Sequence, residues 1–167
     1  TIPLPQRPVL FSYLPISHIA ERMGIEINAM YSGACVWFAE SLETFAENLS
    51  EAQPHIFFAV PRIWIKFREK ILQKMPQKRM DLLLSIPFIN NVVRKGIRKK
   101  LGLSRAVFIA SAAAPLAKEV MLWYQQLGIT ILQAYAMTED CVYGHFNTSA
   151  ANKFGTVRNR LPGLEVK

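Results

Sequence analysis

Five short apolar runs, most of them followed by residues at helical spacing, constrain this chain more than any other feature. The runs are 9–14, 34–38, 55–60, 106–110 and 128–132. His55-Ile56-Phe57-Phe58-Ala59-Val60 is apolar almost throughout, which suits a strand covered on both faces. Strands alternating with helices predict an α/β fold: a mostly parallel sheet with flanking helices and right-handed crossovers. At 167 residues the chain is the size of one ordinary domain, and 51% hydrophobic content is enough for a core. No internal repeat is visible.

The helical stretches are read from their stripes. Pro15 suits a first turn, so a helix is expected to run from there to about Tyr31, with Ile19, Met23, Ile27 and Met30 inward. A short helix follows Ser41 and stops before Pro54. Pro61 opens another, with Trp64, Phe67, Ile71 and Met75 on one side and Arg62, Lys66, Lys70 and Lys74 elsewhere. Ile89, Val92, Val93, Ile97 and Leu101 recur at helical spacing, with Arg94, Lys95, Arg98, Lys99 and Lys100 between them. Leu116, Val120, Trp123 and Leu127 mark the last helix, which Gly128 is expected to close.

Charge is concentrated. Between Arg62 and Arg105, thirteen Lys/Arg face two acids, a net +11, so the rest of the chain carries −3 of the overall +8. Two readings of the 62–105 segment stand together: a helical excursion with a solvated basic face, and a basic amphipathic surface for anionic membranes. Nucleic-acid binding is disfavoured, because no aromatic stacking platform accompanies the charge. Cys35 and Cys141 are far apart and form neither a disulfide framework nor a zinc pattern; Cys141 and His145 are a lone pair. A reducing, cytoplasmic setting is expected. No run reaches the ~18 apolar residues of a membrane-spanning helix, and no signal-peptide pattern opens the chain.

Gln133-Ala134-Tyr135-Ala136-Met137-Thr138-Glu139-Asp140 directly follows the fifth run. Ligands of open parallel sheets collect at the carboxyl ends of strands. Tyr135 offers a flat face for a base, Thr138 a hydroxyl for a phosphate oxygen, and Glu139 a hard oxygen for Mg2+. The competing reading makes Thr138 a helix cap, followed by two acids favoured at a helix N-terminus.

Five segments in order resemble the adenylate-forming superfamily, and its long-chain fatty acyl-CoA synthetases in particular. Tyr135-Ala136-Met137-Thr138-Glu139 resembles Tyr-Gly-x-Thr-Glu. The segment Tyr13-Leu14-Pro15-Ile16-Ser17-His18-Ile19-Ala20-Glu21-Arg22 resembles Tyr-Leu-Pro-Leu-x-His-x-x-Glu-Arg. Val60-Pro61-Arg62-Ile63-Trp64 and Ser111-Ala112-Ala113-Ala114-Pro115-Leu116 resemble two further segments, the second written Ser-Gly-Gly-Ala-Pro-Leu. The fifth is Gly155-Thr156-Val157 with Leu161-Pro162-Gly163-Leu164-Glu165-Val166-Lys167.

The resemblance implies ATP-dependent activation of a fatty acid to an acyl-adenylate, then transfer to CoA, with Mg2+. It implies Tyr135 and the Ala113-Ala114-Pro115 turn around adenine, with Gln133 in the nucleotide site. It further implies Thr138 on the α-phosphate, Glu139 on the metal and His18 toward the acyl pocket. It also implies that 1–167 is one piece of the large domain. The phosphate loop would lie before Thr1, and the mobile domain with its catalytic Lys after Lys167. Peripheral attachment to a cytosolic membrane face is the associated expectation. The alternative is a degenerate module that binds anionic lipid without catalysis.

Departures from the pattern are specific. Ala112, Ala113, Ala134 and Ala136 stand where glycines are usual, and Arg158 and Arg160 where Gly and Pro are expected. A methyl group is harmless where φ is negative and restrictive where it is positive. Several such changes together imply a weakened or divergent synthetase.

Overall fold

The computed structural model describes residues 4–148, 152–157 and 160–163. Strands β1 (Val9–Ser12) and β2 (Cys35–Phe38) pair in parallel. Strands β3 (Ile56–Ala59), β4 (Phe108–Ser111) and β5 (Leu132–Tyr135) also pair in parallel, and β6 (His145–Phe146) closes the order β3-β4-β5-β6 antiparallel to β5. The mixed α/β architecture, with parallel strands and flanking helices, is the one the alternation predicts.

The two sheets meet along β1 and β3. At their starts, Val9 N donates to His55 Nδ1 at 2.9 Å and His55 N donates to Val9 O at 2.8 Å. At their ends, the Tyr13 hydroxyl donates to Phe58 O at 2.9 Å. Starts lie beside starts and ends beside ends, so β1 and β3 run the same way.

Side-chain alternation sends successive residues to opposite faces. Phe11, Phe57, Ala59, Ile109 and Ile131 join the larger core with helices α3 (Phe45–Ala52), α4 (Pro61–Lys74) and α7 (Lys118–Gln126). Trp64 sits fully buried within it, edge-on to Phe57 at 5.5 Å and to Tyr124 at 5.3 Å between ring centroids. The Tyr124 hydroxyl donates to Trp64 O at 2.7 Å. Leu10 and Ile56 face the other way, against Ile25. Between α4 and β4 lie α5 (Gln77–Ser85) and α6 (Ile89–Lys100), the expected helical excursion.

Three expectations shift. The first helix starts at Ile19, not Pro15, as α1 (Ile19–Glu21), then continues through a π-helical segment (Arg22–Ile27) into α2 (Asn28–Ser32). A π turn takes an extra residue and so rotates everything after it about the axis. The buried residues are Glu21, just before that segment, and Ile25 within it, while Ile27 and Met30 point to solvent. The fifth strand begins at Leu132: Ile129 and Ile131 are fully buried, but the ladder to β4 forms only at Leu132 and Gln133. Gly128 does close α7, at φ 73°, with Ile129 N donating back to Tyr124 O at 3.0 Å. Strand β6 was not expected, because a two-residue strand has too short a pattern to read. Arg158 and 164–167 lie outside the described residues.

Candidate functional site

Because β1, β3, β4 and β5 run in one direction, their carboxyl ends define one edge. Four segments singled out in the sequence leave from it: 13–18 after β1, 60–62 after β3, 112–115 after β4 and 135–139 at the end of β5. This is the edge at which ligands of parallel sheets bind. A recess lined by Gln6, Arg7, Gly33, Ala34 and Cys35 lies at the amino ends of β1 and β2, away from these segments.

Tyr135 is the last residue of β5 and is 54% exposed. It stands edge-on to His145 of β6 at 6.2 Å, and its hydroxyl donates to Met137 Sδ at 3.6 Å. Gly144 passes directly against the Tyr135 carbonyl; a Cβ there would collide with it.

Thr138 and Glu139 follow in an exposed turn, not a helix, so the helix-cap reading fails. Asp140 folds back and its Oδ1 accepts from Met137 N at 2.9 Å, while Thr138 O accepts from Cys141 N at 3.1 Å. Cys141 and Val142 then take φ of 54° and 63°. Two successive left-handed residues cannot continue a right-handed helix. The result leaves the Thr138 and Glu139 side chains at the surface beside Tyr135.

Ala113, Ala114 and Pro115 form the exposed loop after β4. Gln133 is 4% exposed and donates through Nε2 to Leu116 O at 3.4 Å, so it ties β5 to the end of this loop. Ser111 and Gln133 are partners on the β4–β5 ladder and share a face. Ser111 Oγ and Gln133 Oε1 are both buried without a partner among the described residues. A Tyr face and a loop of open backbone fit a nucleotide base; the Ser111–Gln133 rung is too buried to touch one. Glu139 is a lone exposed carboxylate, and no cluster of three metal-binding side chains occurs among the described residues. That fits Mg2+ held by one carboxylate together with substrate phosphates.

His18 caps α1: its Nδ1 accepts from Ala20 N at 3.1 Å, leaving Nε2 as the outward atom. It stands on the 13–18 segment, separated by β3 and β4 from the Tyr135 turn. Glu21, three residues on, was given no role from sequence. It is 1% exposed, its Oε2 accepts from Leu14 N at 3.3 Å, and its Oε1 has no partner. Its carboxylate anchors the start of the His18 loop. The signal was in the Glu-Arg ending of the motif, which spacing alone did not place inside the core.

A parallel α/β sheet with its exposed aromatic, hydroxyl and carboxylate at the carboxyl edge defines a ligand-binding α/β domain. The AMP-binding enzyme family matches residues 2–167, and the chain belongs to that family. It is 32% identical over 160 residues to the long-chain-fatty-acid–CoA ligase ACSBG2 of Xenopus laevis, which covers 78% of this chain and 22% of that protein. It is 27% identical over 188 residues to long chain acyl-CoA synthetase 5 of Arabidopsis thaliana, covering 98% of this chain and 28% of that one. The chain thus spans less than a third of these curated relatives. Among solved structures, it superposes on the N-terminal domain of FACL13 from Mycobacterium tuberculosis with a TM-score of 0.56 at 21% identity, over 90% of this chain and 32% of that one. It also superposes on the A domain of a carboxylic acid reductase from Segniliparus rugosus, solved with AMP and a carboxylic acid, with a TM-score of 0.61 at 24% identity over 78% of this chain and 21% of that one.

Proposed function

We propose that this chain is the adenine- and acyl-facing part of a long-chain fatty acid–CoA ligase. The observation that carries the reading is the gathering of four motif segments at one sheet edge. A carboxylate is a poor acyl donor; joining it to the α-phosphate of ATP, with loss of pyrophosphate, gives it AMP as a leaving group that the CoA thiol can displace. Charge builds on the α-phosphate in the first step, so donors must be fixed there beforehand. Thr138 donates its hydroxyl to that phosphate. Glu139 would hold Mg2+, and the ion, when bound, would supply positive charge against the charge that develops on the phosphate. Tyr135 packs on one face of adenine and the Ala113–Pro115 loop forms the other wall. Gln133 acts from below, through Leu116 O, by holding that wall in place. His18 presents Nε2 toward the acyl carboxylate.

The test is fatty-acid-dependent ATP–pyrophosphate exchange, on this chain and on the chain joined to the sequence that flanks it in its gene. Exchange that appears with the flanks and drops by orders of magnitude in Glu139→Gln, with the circular dichroism unchanged, is expected. Undiminished exchange in that variant overturns the metal role. No exchange in either form, with short, long or very long acids, overturns the ligase reading.

A further inference from the structure

The ladder between β4 and β5 holds only at Ala110 with Leu132 and Ser111 with Gln133. Before it, Val107 N and Phe108 N both donate to His55 O, at 2.9 and 3.2 Å, so the approach to β4 is tied to the β3 side. The approach to β5 is tied elsewhere, by Ile129 N donating to Tyr124 O of α7 at 3.0 Å. The two approaches stand apart, and a cavity of about 170 Å³ opens between them, lined by Arg98, Val107, Ile109, Gly128, Thr130 and Leu132. It lies at the amino edge of the sheet, opposite the edge that carries Tyr135, Thr138 and Glu139. Nothing in the ligase reading uses it.

The lining is of two kinds. Ile109 and Leu132, each 6% exposed, make an apolar floor, while Val107 and Thr130 stand at the exposed mouth. Arg98 reaches the cavity from α6. Its Nη1 donates to Gly128 O at 3.4 Å and its Nη2 to Leu103 O at 3.2 Å. A guanidinium carries five N–H donors in a fixed fork. With Nε enclosed and unpartnered, the second hydrogen on each Nη is the one left for a guest. Arg94 lies alongside, its Nε donating to Gln126 O at 2.9 Å. Neither arginine is in an ion pair among the described residues. A helix C-terminus presents about half a negative charge. The end of α7 therefore offsets only a part of two guanidiniums, and the cavity keeps a positive wall.

We propose that this cavity is a second binding site, for a small carboxylate with a short aliphatic tail. The head meets Arg98, with the Thr130 hydroxyl beside it, and the tail lies on Ile109 and Leu132. Size excludes larger guests, since drug-sized ligands occupy about 300–1,000 Å³. The floor decides between anions: inorganic phosphate satisfies the guanidinium but leaves the apolar floor in water. The inference stands apart from the ligase reading, because none of these residues belongs to the candidate site.

The test is titration of the isotope-labelled chain with acetate, butyrate, hexanoate and inorganic phosphate at constant ionic strength, followed by amide chemical shifts. Saturable shifts at Gly128 and Thr130 are expected. Binding should tighten by about fourfold for each methylene that reaches the floor, with phosphate no tighter than acetate. Arg98→Gln should weaken hexanoate by about tenfold or more. Arg98 also holds Leu103 and Gly128, so Val107→Trp is the second variant. It fills the mouth from a half-exposed position, and hexanoate binding should be lost with the thermal midpoint unchanged. Affinity indifferent to tail length, phosphate binding as tight as hexanoate, or undiminished binding in either variant overturns the proposal. So does a titration that never saturates. Shifts confined to 13–18 or 135–139 overturn it too, and would assign the carboxylate to the candidate site.

Discussion

Of the four alanines that stand at glycine positions, only Ala113 has a positive φ, at 70°. Ala112, Ala134 and Ala136 sit where a methyl group costs the backbone nothing. The departure that looked fourfold in the sequence is thus concentrated at one residue, on the loop proposed to wall the adenine. Ala113→Gly should relieve about 1 kcal/mol of left-handed strain and raise the thermal midpoint by about 2–4 °C. Ala134→Gly, inside β5, should do the reverse by loosening the unfolded chain for no gain in the folded one. Differential scanning calorimetry of the pair checks this; equal shifts would mean φ at Ala113 carries no cost.

Which residues would crowd this edge was legible from the motifs. How the backbone presents them was not. Asp140 pulling Met137 N into a tight turn is a three-residue event without periodicity, and the φ of Ala113 has no sequence signature once glycine is absent. The buried Glu21 was hidden for another reason: polar residues are assigned to surfaces by default.

At the scale of elements, spacing found the core faces of α4 and α7; in α6 it found Ile97 and Leu101, while Ile89 and Val92 of the same stripe are exposed, and it failed where the π segment intervened. Trp64, Phe67, Val120, Trp123 and Leu127 are buried as their spacing requires. Ile27 and Met30 are not, because one added residue per turn breaks the count that the stripe relies on.

The junction of β1 with β3 is another matter, since it depends on a side chain. His55 accepts from Val9 N and must be neutral to do so. Burial, and secondarily the nearby Arg105 guanidinium, hold its imidazole below the ordinary histidine range. The folded value lies below the unfolded one, so the unfolded chain takes up the proton first. The stability this gives is full above about pH 6.5 and is lost as pH falls through the folded value. Urea midpoints should therefore drop between pH 7.5 and pH 5 in the native chain, and His55→Gln should flatten that part of the drop. A parallel decline in the variant would remove His55 as the cause.

For the molecule as a whole, stability rests on the core around Trp64 and on two phenols buried within reach of carbonyls. Burial pushes the Tyr13 phenol well above its ordinary value, helped by Glu21. Burial does the same to Tyr124, with Arg68 partly opposing. Both folded values exceed the unfolded one. The contribution is full below about pH 10 and is lost as pH rises beyond it, when the unfolded chain alone can release the proton. Tyr124→Phe should cost about 1 kcal/mol at pH 7, from the bond to Trp64 O, and should lessen the alkaline loss measured by denaturant titration.

The β1–β3 junction also sets a spacing. Backbone ladders bind β3 to β4 and β4 to β5, whereas the described bonds to β1 include one imidazole and one phenol. The first strand pair is thus tied to the rest by few hydrogen bonds and mainly by packing, Phe11 in the shared core and Tyr13 against Phe45 and Phe57. The His18 loop follows β1, whereas the Tyr135 turn follows β5. A small shift of β1 against β3 would therefore change the distance between these two segments without altering either one.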